Sequence, residues 1–305
     1  MTVAAARAAF ERGDWRATYD GLAPGRDDLE AADLARLADA AWWLGDTPDS
    51  MEVSEDLYQR LIAAGSDTQA ADRALRLSLQ WFARGDLQIA YAWMARARRL
   101  LDTMSRCSLH GYLAYLEAGV DLEVTGDPEP AAAAASEVRA YARDFADPAL
   151  DSFAFALGGL AEVRRGRTAA GFAQLDEAML PVLAGRIDPL WSGDLYCTVI
   201  HLCDELADLT RMRAWTEALA RWSKSRSTTF MFAGITRIHE LQLIAAEGDW
   251  DTVEHELGDA SADLVGAHGW LAGEGYYGLG EVRRLRGDAD GARTAYAQAG
   301  ELGRD

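Results

Sequence analysis

A short Gly-Asp-like turn recurs eight times along the chain at nearly constant spacing, and no other feature constrains the fold so tightly. The turns centre on Gly13, Gly45, Gly85, Gly126, Gly166, Ala207, Gly248 and Gly287, at intervals of 32, 40, 41, 40, 41, 41 and 39 residues. Helix-grade segments fill the intervals. A period of this length is the signature of stacked helical hairpins, each too thin to bury its own apolar face. Such an array offers an extended surface, and nothing in it requires an active site.

Each turn has a physical logic. Glycine closes a helix in the left-handed conformation that other residues reach only at a cost. Asp86, Asp127, Asp249 and Asp288 follow their glycines, where a side-chain oxygen caps the next helix and complements its dipole. Ala207-Asp208 keeps the Asp and loses the Gly, whereas Gly166-Arg167 does the reverse. Asp147-Pro148 and Asp188-Pro189 punctuate the boundaries between hairpins, because the residue before proline disfavours helix.

The 305 residues suffice for a large buried surface, and no Pro/Gly/Ser-rich linker interrupts the period. One continuous domain over 1–305 is therefore expected. Half the residues are apolar, yet no uncharged run is long enough to span a membrane. The N-terminal segment carries Arg7, Glu11 and Arg12 and lacks the pattern of a signal peptide. Three dispersed cysteines fit a reducing cytoplasm. The net charge of −19 opposes direct contact with nucleic acid, whose phosphates need a basic surface.

Motifs for chemistry fail on inspection. Gly273, Gly275 and Gly278 match a dinucleotide fingerprint, but they lie inside a helical segment and follow no strand. His239-Glu240 and His255-Glu256 each begin a zinc-protease pattern and lack the second histidine. Asp288, Asp290 and Gly291 are too closely spaced for a calcium loop. The expectation is a non-catalytic chain with no cofactor and no resident metal. The ten tryptophans fall mostly within helical segments, where aromatic residues pack between helices.

The last hairpin resembles the tetratricopeptide family. Tyr276, Leu279 and Gly280, followed by Ala292, Tyr296 and Ala299, reproduce its aromatic-x2-Leu-Gly and Ala-x3-aromatic-x2-Ala pattern. Ala90, Met94 and Ala97 repeat the second half more loosely, as do Ala131, Ala135 and Val138. The expected fold is thus all-α: a right-handed α-solenoid of about eight tetratricopeptide-like hairpins, with helices longer than in the usual 34-residue unit.

A second resemblance covers nearly the whole chain. Trp191-Ser-Gly193, Tyr196-Cys197, Cys203-Asp-Glu205, Trp215 to Trp222, Ile238-His239 and Glu247 to Trp250 look like the helical-repeat region of LuxR-type transcriptional regulators from high-GC bacteria. So do Leu279 to Asp288 and Leu302 to Asp305. The single lysine, Lys224, beside abundant Arg and Ala fits such a genome. The resemblance implies a cytoplasmic sensory or interaction region that holds a protein, a peptide or a small-molecule effector. In that family a DNA-binding helix-turn-helix typically follows the repeats. A free-standing adaptor gripping an extended peptide and a repeat-fold enzyme stand as alternatives.

Candidate binding residues follow from aligning the sixth hairpin with the last. Asp194, Cys197, His201 and Asp204 recur on successive turns and share one helical stripe. The tetratricopeptide register turns that stripe toward the concave groove, together with Glu274, Tyr277, Glu281 and Arg284 of the last hairpin. The equivalent positions elsewhere, such as Leu75, Leu79 and Phe82 or Leu113, Leu116 and Val120, are apolar. A polar stripe amid apolar walls resembles a ligand pocket. Its Cys, His and Asp also suit zinc, and all four residues equally suit a plain structural role.

Overall fold

The computed structural model describes residues 2–225 and 229–302. Among the described residues there are sixteen α-helices and no strand. The first eight are α1 (Val3–Glu11), α2 (Trp15–Leu22), α3 (Ala31–Trp43), α4 (Thr47–Ala63), α5 (Asp67–Arg84), α6 (Leu87–Leu101), α7 (Ser108–Thr125) and α8 (Pro128–Phe145). The second eight are α9 (Pro148–Arg164), α10 (Thr168–Leu183), α11 (Pro189–Glu205), α12 (Leu209–Ser225), α13 (Thr229–Glu247), α14 (Trp250–Leu264), α15 (Gly269–Leu285) and α16 (Ala289–Glu301). One of the eight expected turns joins each odd-numbered helix to the even-numbered one after it. This is a helical-repeat solenoid, as the period predicts. Of the resembling segment at the C-terminus, Gly303, Arg304 and Asp305 lie outside the described residues.

All eight turn centres adopt the left-handed conformation, the seven glycines at φ between 68° and 93° and Ala207 at φ 52°. The residue after each glycine commonly bonds back across the end of the preceding helix. Asp86 N donates to Trp81 O at 3.1 Å, Asp46 N to Ala41 O at 3.0 Å and Asp288 N to Arg283 O at 3.0 Å. These bonds satisfy carbonyls that the helix end leaves open. The same aspartates then start the next helix. Asp46, Asp208, Asp249 and Asp288 accept from the backbone N–H three residues on, at 2.9–3.3 Å. Arg167 makes no such side-chain bond. Pro148 and Pro189 each occupy the first position of a helix, with Asp147 and Asp188 bonding the N–H two residues on.

Packing divides into two compact units. The first comprises Met1–Ser66, Leu77–Tyr91 and Leu206–Asp305. In it α1 to α4 and α12 to α16 pack in chain order, and α13 also touches α3. An aromatic chain carries that distant contact. Trp43 stacks on Phe232 with centroids 5.8 Å apart, and Trp222 meets Phe232 edge-on at 4.9 Å. Trp15 extends the chain to Phe10 and Trp43. The turn after α5 likewise abuts the start of α15, where a Cβ on Gly269 would lie 2.3 Å from the Arg84 carbonyl oxygen.

The last hairpin obeys the expected small-residue rule. Tyr276, Leu279, Ala292 and Ala299 are buried, and a Cβ on Gly280 would lie 2.5 Å from the Tyr296 ring. The second unit comprises Asp67–Arg76 and Ala92–Glu205. Within it α9 touches α7, α8, α10 and α11, and buries Leu150, Phe153 and Leu157 completely.

Two substitutions test this architecture. Gly280→Arg must displace Tyr296, so it should destabilise by about 1–3 kcal/mol or more. An unchanged denaturation midpoint would show that the α15–α16 contact is misplaced. Ala207→Gly removes left-handed strain worth about 1–2 kcal/mol, offset by about 0.4–1 kcal/mol of added freedom in the unfolded chain. Its urea midpoint should therefore rise modestly, and a fall would contradict the turn geometry.

Candidate functional site

The α11 stripe exists as a half-buried face. Asp194, Cys197, His201 and Asp204 each retain partial exposure, whereas Leu195, Tyr196, Val199 and Ile200 on the other faces are fully buried. Tyr115 of α7 reaches Asp194 and donates its hydroxyl to Oδ2 at 2.6 Å. Tyr115 itself stacks on Phe153 of α9 at 4.1 Å, with the two rings only 10° from parallel. Tyr112, one turn earlier on α7, packs edge-on against Phe153 and Trp191 at 5.2 and 5.0 Å. Residues from α7, α9 and α11 thus fix the position of one carboxylate.

Of the expected apolar positions, Leu75, Leu79, Leu113 and Leu116 are buried, whereas Phe82 and Val120 are half-buried. On α7 the side chain that meets the α11 stripe is Tyr115, with Tyr112 beside it. The sequence does carry a signal for this pair. Tyr112 and Tyr115 stand three apart on α7, as Trp191 and Asp194 do on α11, and each spacing places two aromatic or polar groups on one face.

The electrostatics single out Asp194. Burial pushes its carboxyl up to about 6 against the opposing pull of the Tyr115 hydroxyl. Burial, then the neighbouring Asp194, drive the Tyr115 phenol well above its ordinary value. Two other carboxylates, the buried Asp33 and the exposed Asp188, are treated differently. Asp33 is 2% exposed and takes Arg7 Nε at 2.8 Å and Arg36 Nη1 at 3.0 Å. The Arg7 hydrogen bond leads the effects that lower its pKa despite burial. Asp188 bonds both Arg76 Nη atoms at 3.0–3.2 Å. Burial raises it, but Arg76 and the helix-capping bond to Leu190 outweigh that and hold it below its ordinary value. Among the described residues no arginine pairs with Asp194.

The stripe expected in the last hairpin does not run as one open face. Glu274 is buried, 3% exposed, and lies within electrostatic reach of His268, itself near His239. Burial pulls the His268 imidazole down to about 4. Tyr277 is exposed and leans on Tyr296 at 5.6 Å. Glu281 binds Arg284 at 2.7 and 3.1 Å and accepts from the Tyr296 hydroxyl. Tyr277, Glu281 and Arg284 therefore sit in a surface network that satisfies itself. Among the described residues no three His, Cys, Asp or Glu side chains converge to hold a metal ion. The zinc reading of the α11 stripe thus lacks a set of converged donors.

Compared with known proteins, the chain matches no family model and no curated protein.

The Asp194 shift gives a pH signature. Its folded pKa, about 6, exceeds the ordinary value of about 3.9, so the folded chain binds this proton more tightly. The group's contribution to stability is complete below about pH 4 and is lost as pH rises through about 6. Asp194→Asn removes the titration and still accepts from Tyr115. Its stability relative to the native chain should therefore increase between pH 4 and 7 in parallel urea titrations. A difference that does not vary with pH would place Asp194 in contact with bulk water.

Proposed function

We propose that this chain is a non-catalytic repeat scaffold whose α11 face binds a protein, a peptide or a small effector. The observation that carries the reading is the half-buried Asp194, set against Tyr115 and without an arginine. Burying a carboxylate without a cation is costly. The same fold neutralises the buried Asp33 with Arg7 and Arg36, so the means to offset that cost was at hand. A group left uncompensated yet half-accessible suits recognition better than structure. The resemblance to LuxR-type regulators supplies the role: the sensory or interaction region of a cytoplasmic transcriptional regulator.

The aromatic support under Asp194 favours binding over catalysis. Tyr115 has its pKa raised, so at neutral pH it is a hydrogen-bond donor and not a base. Asp194 and Tyr115 hold each other in place, which fixes direction for an incoming polar group.

Asp194→Ala and His201→Ala, each compared with the native chain by affinity capture from its own cells and by thermal melting, test the proposal. Lost capture at an unchanged melting temperature is the expected result for Asp194→Ala. Normal capture by both variants would remove the α11 face as the binding surface.

A further inference from the structure

Helices α12 and α13 of the first unit enclose an open cavity of about 450 Å³ that is independent of the α11 face. That volume lies within the range of small-molecule sites. Its floor is apolar, from Ala220 on α12 and from Leu243 and Ile244 on α13. Three arginines, Arg213, Arg221 and Arg237, line it together with two carboxylates, Glu217 and Glu240.

The three arginines are not equally engaged. Arg213 Nη2 donates to Glu247 at 2.5 Å, and Arg237 bonds Glu240 at 3.3 Å and also Glu256. Arg221 faces Glu217 at 3.7 Å, an ion pair too long for a hydrogen bond, and both side chains are more than 60% exposed. A pair of this kind contributes little and is readily replaced. The Arg221 fork therefore remains able to take a carboxylate with two parallel N–H bonds.

A second observation points the same way. Thr216 lines the cavity, is 2% exposed, and its hydroxyl has no hydrogen-bond partner among the described residues. A buried hydroxyl left unmatched is destabilising unless something answers it. We infer that this cavity binds a small amphipathic carboxylate, its acid group on Arg221, its apolar body over Ala220, Leu243 and Ile244, and the Thr216 hydroxyl bonded to it.

Octanoate is the probe, with octanol and octylamine as controls, measured by titration calorimetry on the native chain. Octanoate should bind at least tenfold more tightly than either control. Arg221→Gln alters an exposed side chain and should reduce octanoate to the level of octanol. Thr216→Val removes the unmatched hydroxyl, so its melting temperature should hold or rise while octanoate binding weakens severalfold. Asp194→Ala should leave octanoate binding unchanged, which separates this site from the α11 face. Octanoate bound no better than octanol, or bound equally by native chain and Arg221→Gln, overturns the assignment.

Discussion

The left-handed residue between paired helices is the constraint on which the structure depends. A helix ends with open carbonyls, and reversing its direction within three residues requires a backbone conformation that a Cβ resists. Seven of the eight turn centres are glycines, and all eight have positive φ. In most turns the second residue closes the preceding helix through its N–H, and in most its carboxylate opens the next. Two helix ends are satisfied by one dipeptide. The regular spacing of that dipeptide then sets helix length, and helix length sets how much apolar face each hairpin must bury against its neighbours.

Charge placement shows a second layer of choice. Arginines neutralise the buried carboxylate of Asp33 and the exposed one of Asp188, and geometry there is bidentate or shared between two donors. Asp194 departs from that rule with a tyrosine as its named partner. A phenol stabilises a carboxylate less than a guanidinium does, since it brings a hydrogen bond without a charge. Burial outweighs the phenol's pull and raises the proton affinity of Asp194 toward neutrality, and a bound cation or donor would shift it back. A ligand held at this face would therefore be coupled to protonation of Asp194.

The turns, the caps, the proline boundaries and the last hairpin were legible in the sequence because each rests on residues close together in the chain. Gly280 and Tyr296 are sixteen apart, and a hairpin of two straight helices leaves few ways to arrange them. The groove face was not legible in the same way. Asp194 was readable as part of a polar stripe, but its partner Tyr115 lies 79 residues away on another hairpin. Which stripe of α7 faces α11 depends on how α9 packs between them, through Phe153 and Trp191. The expected positions Leu113 and Leu116 adjoin Tyr112 and Tyr115 on the same helix, and Leu113, Leu116 and Tyr115 are all buried, so burial alone does not tell them apart. Glu274 is a charged residue of the expected stripe that the packing of α15 buries.

Contacts within the first unit alter how such an array should behave. Repeat proteins are quasi-one-dimensional when each hairpin touches only its neighbours. Here α3 and α13 meet through Trp43 and Phe232, and the turn after α5 meets α15 through Arg84 and Gly269. These contacts join segments about 190 residues apart in sequence, so they carry a loop-closure cost that local hairpins do not. Their aromatic area offsets it: each buried ring brings a large apolar surface, and stacked or edge-on pairs add about 0.5–1.5 kcal/mol beyond it. The consequence is mechanical as well as energetic. Fraying of α3 removes a packing surface from α13, and loosening of α13 removes one from α3. The cavity between α12 and α13 is thereby held by the opposite end of the sequence, and its shape is a property of the whole unit.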